Sequence, residues 1–207
     1  MPSPTSLAPR QSTLAGCGAP ARNPGATEAR IDLGEGAWID WIPGWLDGGD
    51  ALFDRCAEEL PWGCGERVMY DRIVAEPRLT ATLGATAFAP LLPRLSAELS
   101  GRYRRRFDWI FANFYRDGSD SVAWHGDRIR RIERHTVIPV LSLGGPRTFA
   151  LRPRGGGTAR RFDMYSGDLL VMGGAAQHTH EHAVPKRRHA QPRISLTFRG
   201  ADDARKG

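Results

Sequence analysis

The chain has 207 residues, of which 41% are hydrophobic and 25% charged, and its net charge is +6. This length suits one domain with a substantial core and is short for two. No run of about 18 apolar residues and no continuous apolar stretch near the N-terminus occur, so neither a membrane span nor a secretory signal is predicted. The three cysteines, Cys17, Cys56 and Cys64, lack metal-ligand spacing and predict free thiols in a reducing cytoplasm.

The positive charge comes from arginine far more than from lysine. The planar guanidinium fork suits bidentate recognition of phosphate or carboxylate, so a polyanionic partner such as nucleic acid is one interpretation. A solvated basic surface is the alternative. The stretches that could hold phosphates are residues 102–106, 128–134 and 152–161.

The N-terminal part combines a predicted tail with a strand and a helix. Residues 1–30 are rich in Pro, Ala, Gly, Ser and Thr without an apolar period, which predicts a disordered tail. Residues 31–42 indicate a short strand that ends at a Pro-Gly turn. Asp47 is a suitable N-cap for a helix that runs to about Leu60.

A second helix is predicted over residues 88–99, where Phe88, Leu92 and Leu95 would face inward. Between the two helices, residues 66–84 have mixed character and predict either a hairpin or a lid. Ordered structure is expected to end near residue 200, so residues 31–200 form the predicted domain and residues 201–207 a second tail.

From Phe107 the pattern changes to short strands separated by turns that contain Gly or Pro. Period-2 alternation in the first of them places Phe107, Trp109, Phe111, Asn113 and Tyr115 on one face. The further predicted strands cover residues 121–125, 136–143, 147–152, 160–164 and 168–172, a segment around 182, and 193–198. This succession predicts a mainly β, α+β fold built on a double-sheet barrel or jelly roll.

One proline interrupts this pattern. Pro139 lies inside a predicted strand, and because proline cannot donate to a β ladder, it argues for an edge strand or a bulge at that point.

The segment Trp124-His-Gly-Asp127 follows one of these strands. His125 and Asp127 are two residues apart, so both point to the same side of an extended chain and could grip one metal ion. Two histidines and one carboxylate on one face of Fe(II) leave positions open for a cosubstrate and oxygen, so a second histidine is needed from elsewhere. By itself the motif is also compatible with an exposed polar pair.

The last predicted strand alternates along Arg193-Ile-Ser-Leu-Thr-Phe-Arg199. Arg193, Ser195 and Arg199 share its polar face, and two arginines there are costly to bury without anions. Reaching toward each other, the arginines could clamp a small dicarboxylate such as 2-oxoglutarate. Two surface arginines on an edge strand are the alternative.

Taken in order, these motifs resemble the AlkB family of oxidative nucleic-acid demethylases. The matching segments are Asn113-Phe-Tyr115, His125-Gly-Asp127, Ser142-Leu-Gly144, Gly167-Asp-Leu-Leu-Val-Met-Gly173, Glu181-His-Ala-Val-Pro-Lys186 and Arg193–Arg199. The resemblance covers roughly residues 38–200 and is strongest after residue 107. It implies a double-stranded β-helix core with N-terminal supporting helices.

The resemblance also implies roles for individual residues. His125, Asp127 and His182 would be the iron ligands, which makes them the catalytic centre. The residues expected to bind 2-oxoglutarate are Asn113, Tyr115 and Arg193 at its distal carboxylate, Arg199 near its metal-bound end, and Ser195, which stands where the family often has Asn.

The ligand segment contains two further histidines. By period 2, His178, His180 and His182 would share one face, and either of the first two could be mistaken for the iron ligand. The Val-Pro-Lys that follows His182 aligns with the family and favours that residue.

The activity that the resemblance implies is oxidative demethylation of N-alkylated bases in DNA, which depends on Fe(II) and on 2-oxoglutarate and O2 as cosubstrates. This activity would repair alkylation damage directly. A base inside a duplex must be flipped out or already single-stranded, and Trp62, Tyr70 and His125 are candidates to stack on it. The same chemistry on RNA, an oxygenase of a protein or small molecule, and an inactive nucleic-acid-binding module are the alternatives. We expect a cytoplasmic monomer without membrane attachment.

One departure from the family concerns the substrate. Some members carry acidic residues just after the His-x-Asp motif, whereas this chain has the basic stretch 128–134 there. It predicts either a phosphate-binding loop beside the active site or an altered substrate.

Overall fold

The computed structural model describes residues 18–69, 72–84, 86–126 and 136–200. Within these ranges the chain forms strands and helices in the following order: β1 Ala21–Arg22, β2 Ala29–Gly34, β3 Ala37–Ile42, β4 Leu46–Asp47, α1 Gly49–Glu59, β5 Gly63–Met69, β6 Arg72–Gly84, α2 Leu91–Tyr103, β7 Trp109–Tyr115, β8 Val122–His125, β9 Thr136–Gly144, β10 Arg147–Pro153, β11 Arg160–Met164, β12 Leu169–Gly174, α3 Ala176–Thr179, β13 His180–Val184 and β14 Arg193–Arg199. The described helices lie mostly in the N-terminal half, as predicted.

The strands form two principal antiparallel sheets. An eight-stranded sheet has the order β2-β3-β12-β9-β14-β7-β6-β5, and a four-stranded sheet has the order β11-β10-β13-β8. Apolar side chains of the two sheets meet in one core, where Ile138 and Met172 of the large sheet cluster with Phe149 and Met164 of the small one. The predicted mainly β jelly-roll fold is confirmed.

Strand β14 shows how alternation builds the site. It pairs with β9 on one side and β7 on the other, so it lies in the middle of the large sheet. Ile194, Leu196 and Phe198 are fully buried in the core that the sheet forms with α1 and α2. The alternate residues of the strand therefore project from the opposite face, into the space between the two sheets.

The two larger helices begin later than predicted. Asp47 does not cap α1, because it pairs with Ala21 in a short two-stranded ladder, and Gly48 with a φ of 66° makes the turn into the helix. Helix α2 begins at Leu91 instead of residue 88 and continues to Tyr103. Phe88 lies in the preceding turn with a φ of 51°, a left-handed conformation that is incompatible with a helix start.

The structured chain begins earlier than predicted. Strand β1 precedes residue 31 and β2 begins at Ala29, and the Arg22 side chain donates to Glu98 of α2 at 2.7 Å. The predicted tail boundary at residue 30 is therefore too late, since backbone pairing and ion pairs hold this segment without an apolar period. The remaining predicted tails, residues 1–17 and 201–207, lie outside the described residues.

Two ambiguous segments take definite forms. Strands β5 and β6 pair antiparallel, so the described residues 66–69 and 72–84 form the two strands of a hairpin at the edge of the large sheet, not a lid. Pro139 lies in β9, an interior strand whose pairing with β12 runs through Pro139 without a register shift, so neither the predicted edge strand nor the predicted bulge is found. Its pairing with β14 begins only at Val140, however, so at Pro139 the strand pairs with β12 alone.

No helix in the described ranges is long and apolar enough to cross a membrane.

Candidate active site

Two histidines stand opposite each other on neighbouring strands of the small sheet. His125 ends β8 and pairs in register with His182 of β13. Their ring centroids are 4.3 Å apart, and the His182 ring stacks on Phe149 at 5.3 Å with an interplanar angle of 18°. The sheet pairing thus brings together two imidazoles whose residues are 57 positions apart in the sequence.

The orientation of His125 is set by its own strand. Its Nδ1 lies 2.9 Å from the Ala123 carbonyl oxygen. A carbonyl only accepts, so Nδ1 carries the proton and Nε2 is the nitrogen with a lone pair. This arrangement, in which one ring nitrogen is held by the backbone, is usual for histidine ligands of metals.

The predicted third ligand, Asp127, lies outside the described residues. Among the described residues, no group of three or more His, Cys, Asp or Glu side chains is placed to hold a metal ion. The backbone just before Asp127 is nevertheless closely packed, because a Cβ atom on Gly126 would overlap the Arg154 guanidinium. Arg154 is itself held by the carbonyl oxygens of Gln177 and His178, each at 3.0 Å.

The three neighbouring histidines do not share one strand face. His178 lies in α3 and is exposed, so the predicted common face is wrong for this residue, because β13 begins only at His180. The His180 Nδ1 contacts Thr179 Oγ1 at 2.7 Å, and burial lowers the pKa of the ring. Of the three, His182 lines the pocket between the sheets.

The opposite wall of this pocket comes from the large sheet. Strands β7 and β14 pair there, with Arg193 opposite Tyr115 and Ser195 opposite Asn113. The pocket brings together every predicted site residue except Asp127, namely His125 and His182 with Asn113, Tyr115, Arg193, Ser195 and Arg199. Their individual roles in binding iron and 2-oxoglutarate stay predictions.

Arg193 is the most informative of these residues. It is 1% exposed, and its Nε donates to Ser142 Oγ at 2.9 Å. Its Nη2 is buried and has no hydrogen-bond partner among the described residues. Burial lowers the pKa of the guanidinium to about 10, so it remains charged at neutral pH. A buried cation with an unpaired N–H group requires an anion, and a carboxylate of 2-oxoglutarate fits that requirement.

Arg78 was not predicted from the sequence as a site residue. It lines the pocket from β6, and its Nε donates to Asn113 Oδ1 at 2.7 Å while its Nη2 pairs with Glu76 at 2.8 Å. Because Arg78 can only donate, the contact fixes which end of the Asn113 amide faces it. Period 2 along β6 puts Arg78 on the same face as Thr80, but the pairing of Thr80 with Asn113 is a matter of strand register that the sequence pattern does not show.

Trp62 does not fulfil its predicted role as a base-stacking residue. Its Nε1 donates to the Cys56 carbonyl oxygen at 3.1 Å, and its ring packs against Phe114 at 5.2 Å. Phe114 belongs to the core beneath the helices, on the face of the large sheet away from the pocket. Tyr70, another predicted stacker, and the basic stretch 128–134 lie outside the described residues.

Comparison with known proteins identifies the family. The model of the 2OG-Fe(II) oxygenase superfamily matches residues 55–199, which include both strands with the histidines and the strand with Arg193. The chain belongs to the 2OG-Fe(II) oxygenase superfamily. Members of this superfamily use Fe(II), 2-oxoglutarate and O2, so the predicted cofactor and cosubstrates are confirmed at the level of the family.

Curated relatives support the resemblance to AlkB. The chain is 32% identical over 182 residues to the alpha-ketoglutarate-dependent dioxygenase alkB homolog 3 of Mus musculus, covering 76% of this chain and 64% of that protein. It is 30% identical over 224 residues to the DNA oxidative demethylase ALKBH2 of Arabidopsis thaliana, covering 87% and 71%. The chain therefore spans a little under two thirds of the length of the Mus musculus alkB homolog 3, and 71% of the Arabidopsis thaliana ALKBH2.

A solved structure supports the fold of this 2OG-Fe(II) oxygenase. The structure of OsALKBH1 superposes with a TM-score of 0.59 at 16% identity, covering 83% of this chain and 99% of that one. At this identity the similarity concerns the fold alone, and it agrees with the two-sheet architecture described above.

Proposed function

We propose that this chain is an Fe(II)- and 2-oxoglutarate-dependent dioxygenase that removes alkyl groups from the nitrogen atoms of nucleic-acid bases, with DNA as the favoured substrate. One observation carries the proposal: His125 and His182 face a pocket whose opposite wall holds the buried Arg193 with an unpaired N–H group. A metal site and an anion site therefore face each other across one cavity.

In this proposal each wall has its own task. His125 and His182 would hold Fe(II) together with Asp127, and the hydrogen bond of His125 Nδ1 to Ala123 would leave Nε2 as the nitrogen available to the metal. Arg193, Tyr115 and Asn113 bind the distal carboxylate of 2-oxoglutarate, and Arg199 and Ser195 lie farther along the same strand face. When bound, Fe(II), 2-oxoglutarate and O2 supply the oxidation, in which 2-oxoglutarate becomes succinate and CO2 and an N-methyl group leaves as formaldehyde.

The choice of a nucleic-acid substrate rests on two further observations. The net charge is +6 and is carried mostly by arginine, which suits a phosphate backbone. The relative from Arabidopsis thaliana is named a DNA oxidative demethylase. A target base would enter the pocket from single-stranded DNA or after flipping from a duplex. We further propose that the protein acts in the cytoplasm, as a monomer that does not bind membranes.

The deciding experiment measures succinate and formaldehyde release by the full chain with Fe(II), 2-oxoglutarate and O2. Three parallel reactions contain N-methylated single-stranded DNA, the matching methylated RNA, and no nucleic acid. We expect formaldehyde in step with succinate and fastest with DNA. Faster release with RNA would reassign the substrate to RNA. Succinate without formaldehyde in all three would retain the oxygenase and favour a protein or small-molecule substrate, and no succinate at all would overturn the oxygenase.

A further inference from the structure

Arg147, at the start of β10, is an arginine that neither the family motifs nor the pocket wall includes. It is 0% exposed, and its guanidinium donates to three backbone carbonyl oxygens, those of Asp117 at 2.8 Å, Asp120 at 2.7 Å and Pro185 at 3.0 Å. In the part of the chain that the structure describes, no carboxylate forms an ion pair with it, and the Asp120 side chain pairs with Arg116. A buried charge without a counter-ion is costly, so its position requires an explanation.

The acceptors of Arg147 belong to two different segments near the pocket. Asp117 and Asp120 lie in the turn between β7 and β8, whereas Pro185 directly follows β13. The same segments also meet where the Arg187 N–H donates to the Gly118 carbonyl oxygen at 2.8 Å. Arg147 thus ties the end of β7 and the start of β8 to the end of β13, and these are the strands that carry Tyr115, His125 and His182.

Arg147 also contacts a predicted 2-oxoglutarate residue directly. Its guanidinium carbon lies 5.3 Å from the centroid of the Tyr115 ring, and the Arg193 guanidinium carbon lies at the same distance. Tyr115 is 2% exposed and lines the pocket. Two buried cations therefore hold one aromatic ring, but only Arg193 reaches the cavity.

We infer that Arg147 is a positioning residue for the distal carboxylate of 2-oxoglutarate: it fixes the Tyr115 ring from outside the pocket and adds a buried positive charge at that end. The inference rests on the proposed function, because it assigns the occupant of the cavity. At short range a buried charge is weakly screened, so a second cation behind Tyr115 favours an occupant with a carboxylate at that end over one without. Arg147 would thus contribute to the preference for a dicarboxylate without touching it.

The test compares two 2-oxo acids of the same chain length, one with and one without the distal carboxylate. The full chain is loaded with Mn(II) in place of Fe(II), and the affinities for 2-oxoglutarate and 2-oxopentanoate are measured by calorimetry for wild type, Arg147→Met and Arg193→Met. In Arg147→Met we expect the ratio of the two affinities to fall by about tenfold, through weaker binding of 2-oxoglutarate. Affinities for 2-oxopentanoate and Mn(II) should change by less than about twofold, and Arg193→Met should lower the ratio further.

Arg152→Met is the matched control, because Arg152 lies on the same strand but pairs with Glu181 outside the pocket. It should leave the ratio unchanged. If Arg147→Met lowers both affinities equally, or lowers only the Tm, Arg147 is purely structural and the inference is wrong. If wild type binds neither acid, the proposed function fails instead.

A double-mutant cycle decides the matter if Arg147→Met does not fold. Arg147→Lys keeps the charge but not the three-way hydrogen bonding, and we expect it to lower the ratio by about threefold. The same change made in a Tyr115→Phe background should have less than half that effect on a logarithmic scale, because the hydroxyl group that Arg147 positions through the ring is then absent. Additive effects, or no effect of Arg147→Lys, would overturn the positioning role.

Discussion

At the scale of single residues, the position of His182 on the pocket wall separates it from its two neighbours in sequence. Replacing His182 by Ala should lower the affinity for Fe(II), or for Co(II) as a spectroscopic substitute, by well over about tenfold, since even residues that only orient a ligand contribute that much. His180→Ala is the control, because His180 contacts Thr179 and does not line the pocket. Metal titration followed by absorption, with circular dichroism to check folding, measures both.

The reverse order of effects would reassign the ligand. If His180→Ala lost the metal and His182→Ala kept it, the assignment that places the metal in the pocket between the two sheets would be wrong. His178→Ala, in the exposed part of α3, should leave the affinity unchanged.

Sequence motifs predicted the residues whose spacing along one strand has a chemical meaning. Arg193 and Arg199 are such a pair, because period 2 places both on one face of β14 and both line the pocket. The predicted pairing of His125 with Asp127 stays a prediction, since Asp127 lies outside the described residues. Arg78 could not be predicted in this way. Its partner Asn113 is on a different strand, and their contact depends on the register between β6 and β7, which no local pattern reveals.

At the scale of secondary structure, the strands of the C-terminal half were predicted closely and the helix starts were not. Residues 160–164 agree with β11, and the prediction for 193–198 differs from β14 by one residue. These strands alternate regularly, whereas α1 and α2 begin after residues in left-handed conformations, Gly48 and Phe88. Such turns depend on tertiary contacts more than on the residue type, since Phe rarely adopts a positive φ.

Gly118 offers a test of the contact between the β7–β8 turn and the segment after β13. A Cβ atom there would overlap the Arg187 carbonyl oxygen, and the obstacle is backbone, which cannot move aside easily. Gly118→Ala should lower the free energy of unfolding by about 1–3 kcal/mol. Because this turn precedes β8 and leads to His125, affinity for the metal should fall as well.

Gly101 provides the matched control for that substitution. It lies in α2, and a Cβ atom added to it meets nothing within 4 Å. Gly101→Ala should raise the free energy of unfolding by about 0.5–1 kcal/mol, because alanine loses less conformational entropy in a helix. Urea denaturation of both variants gives the comparison. Equal stability of Gly118→Ala and wild type would show that the turn shifts to accommodate the added Cβ atom without a cost in free energy.

At the scale of the whole molecule, less of the positive charge is available for binding DNA than the composition indicates. Several arginines of the predicted phosphate-binding stretches form ion pairs within the protein: Arg102 with Glu28, Arg106 with Asp108 at 2.7 Å and Arg152 with Glu181 at 2.6 Å. Arg152 additionally stacks on Trp124 at 4.1 Å. The stretch 128–134 directly follows Asp127 in sequence, and because of that position we expect most of the DNA affinity from it.

Charge reversal of Arg128, Arg130 and Arg131 to Glu tests this expectation. The logarithm of the affinity for single-stranded DNA should fall linearly with the logarithm of salt concentration, and loss of three phosphate contacts should reduce the slope by about 2. The slow conversion of 2-oxoglutarate to succinate without DNA should persist, since these arginines are not proposed to bind the cosubstrate. Fluorescence anisotropy at a series of salt concentrations measures the slope.

The control reverses three arginines on the helical side of the molecule, Arg55, Arg94 and Arg104, which change the net charge equally. Arg104 belongs to the predicted stretch 102–106, so this variant also measures the contribution of that stretch. All three are exposed and lie on or next to the two helices that cover the outer face of the large sheet. The control variant should keep most of the slope. An equal loss in both variants would mean that net charge, not a defined surface, attracts DNA, and affinity independent of salt would contradict nucleic-acid binding altogether.

The division of the pocket between two sheets has a consequence for rigidity. Its described histidines belong to the small sheet and its arginines to the large one. Under the proposed function, a metal ion alone would contact only the small sheet, whereas 2-oxoglutarate bound to that metal and to Arg193 would connect both sheets. Amide hydrogen exchange should then slow in β8 and β13 when Mn(II) is added, and in β7 and β14 only after 2-oxoglutarate follows. The two walls of the pocket would then be held more rigidly in the loaded enzyme than in the empty one.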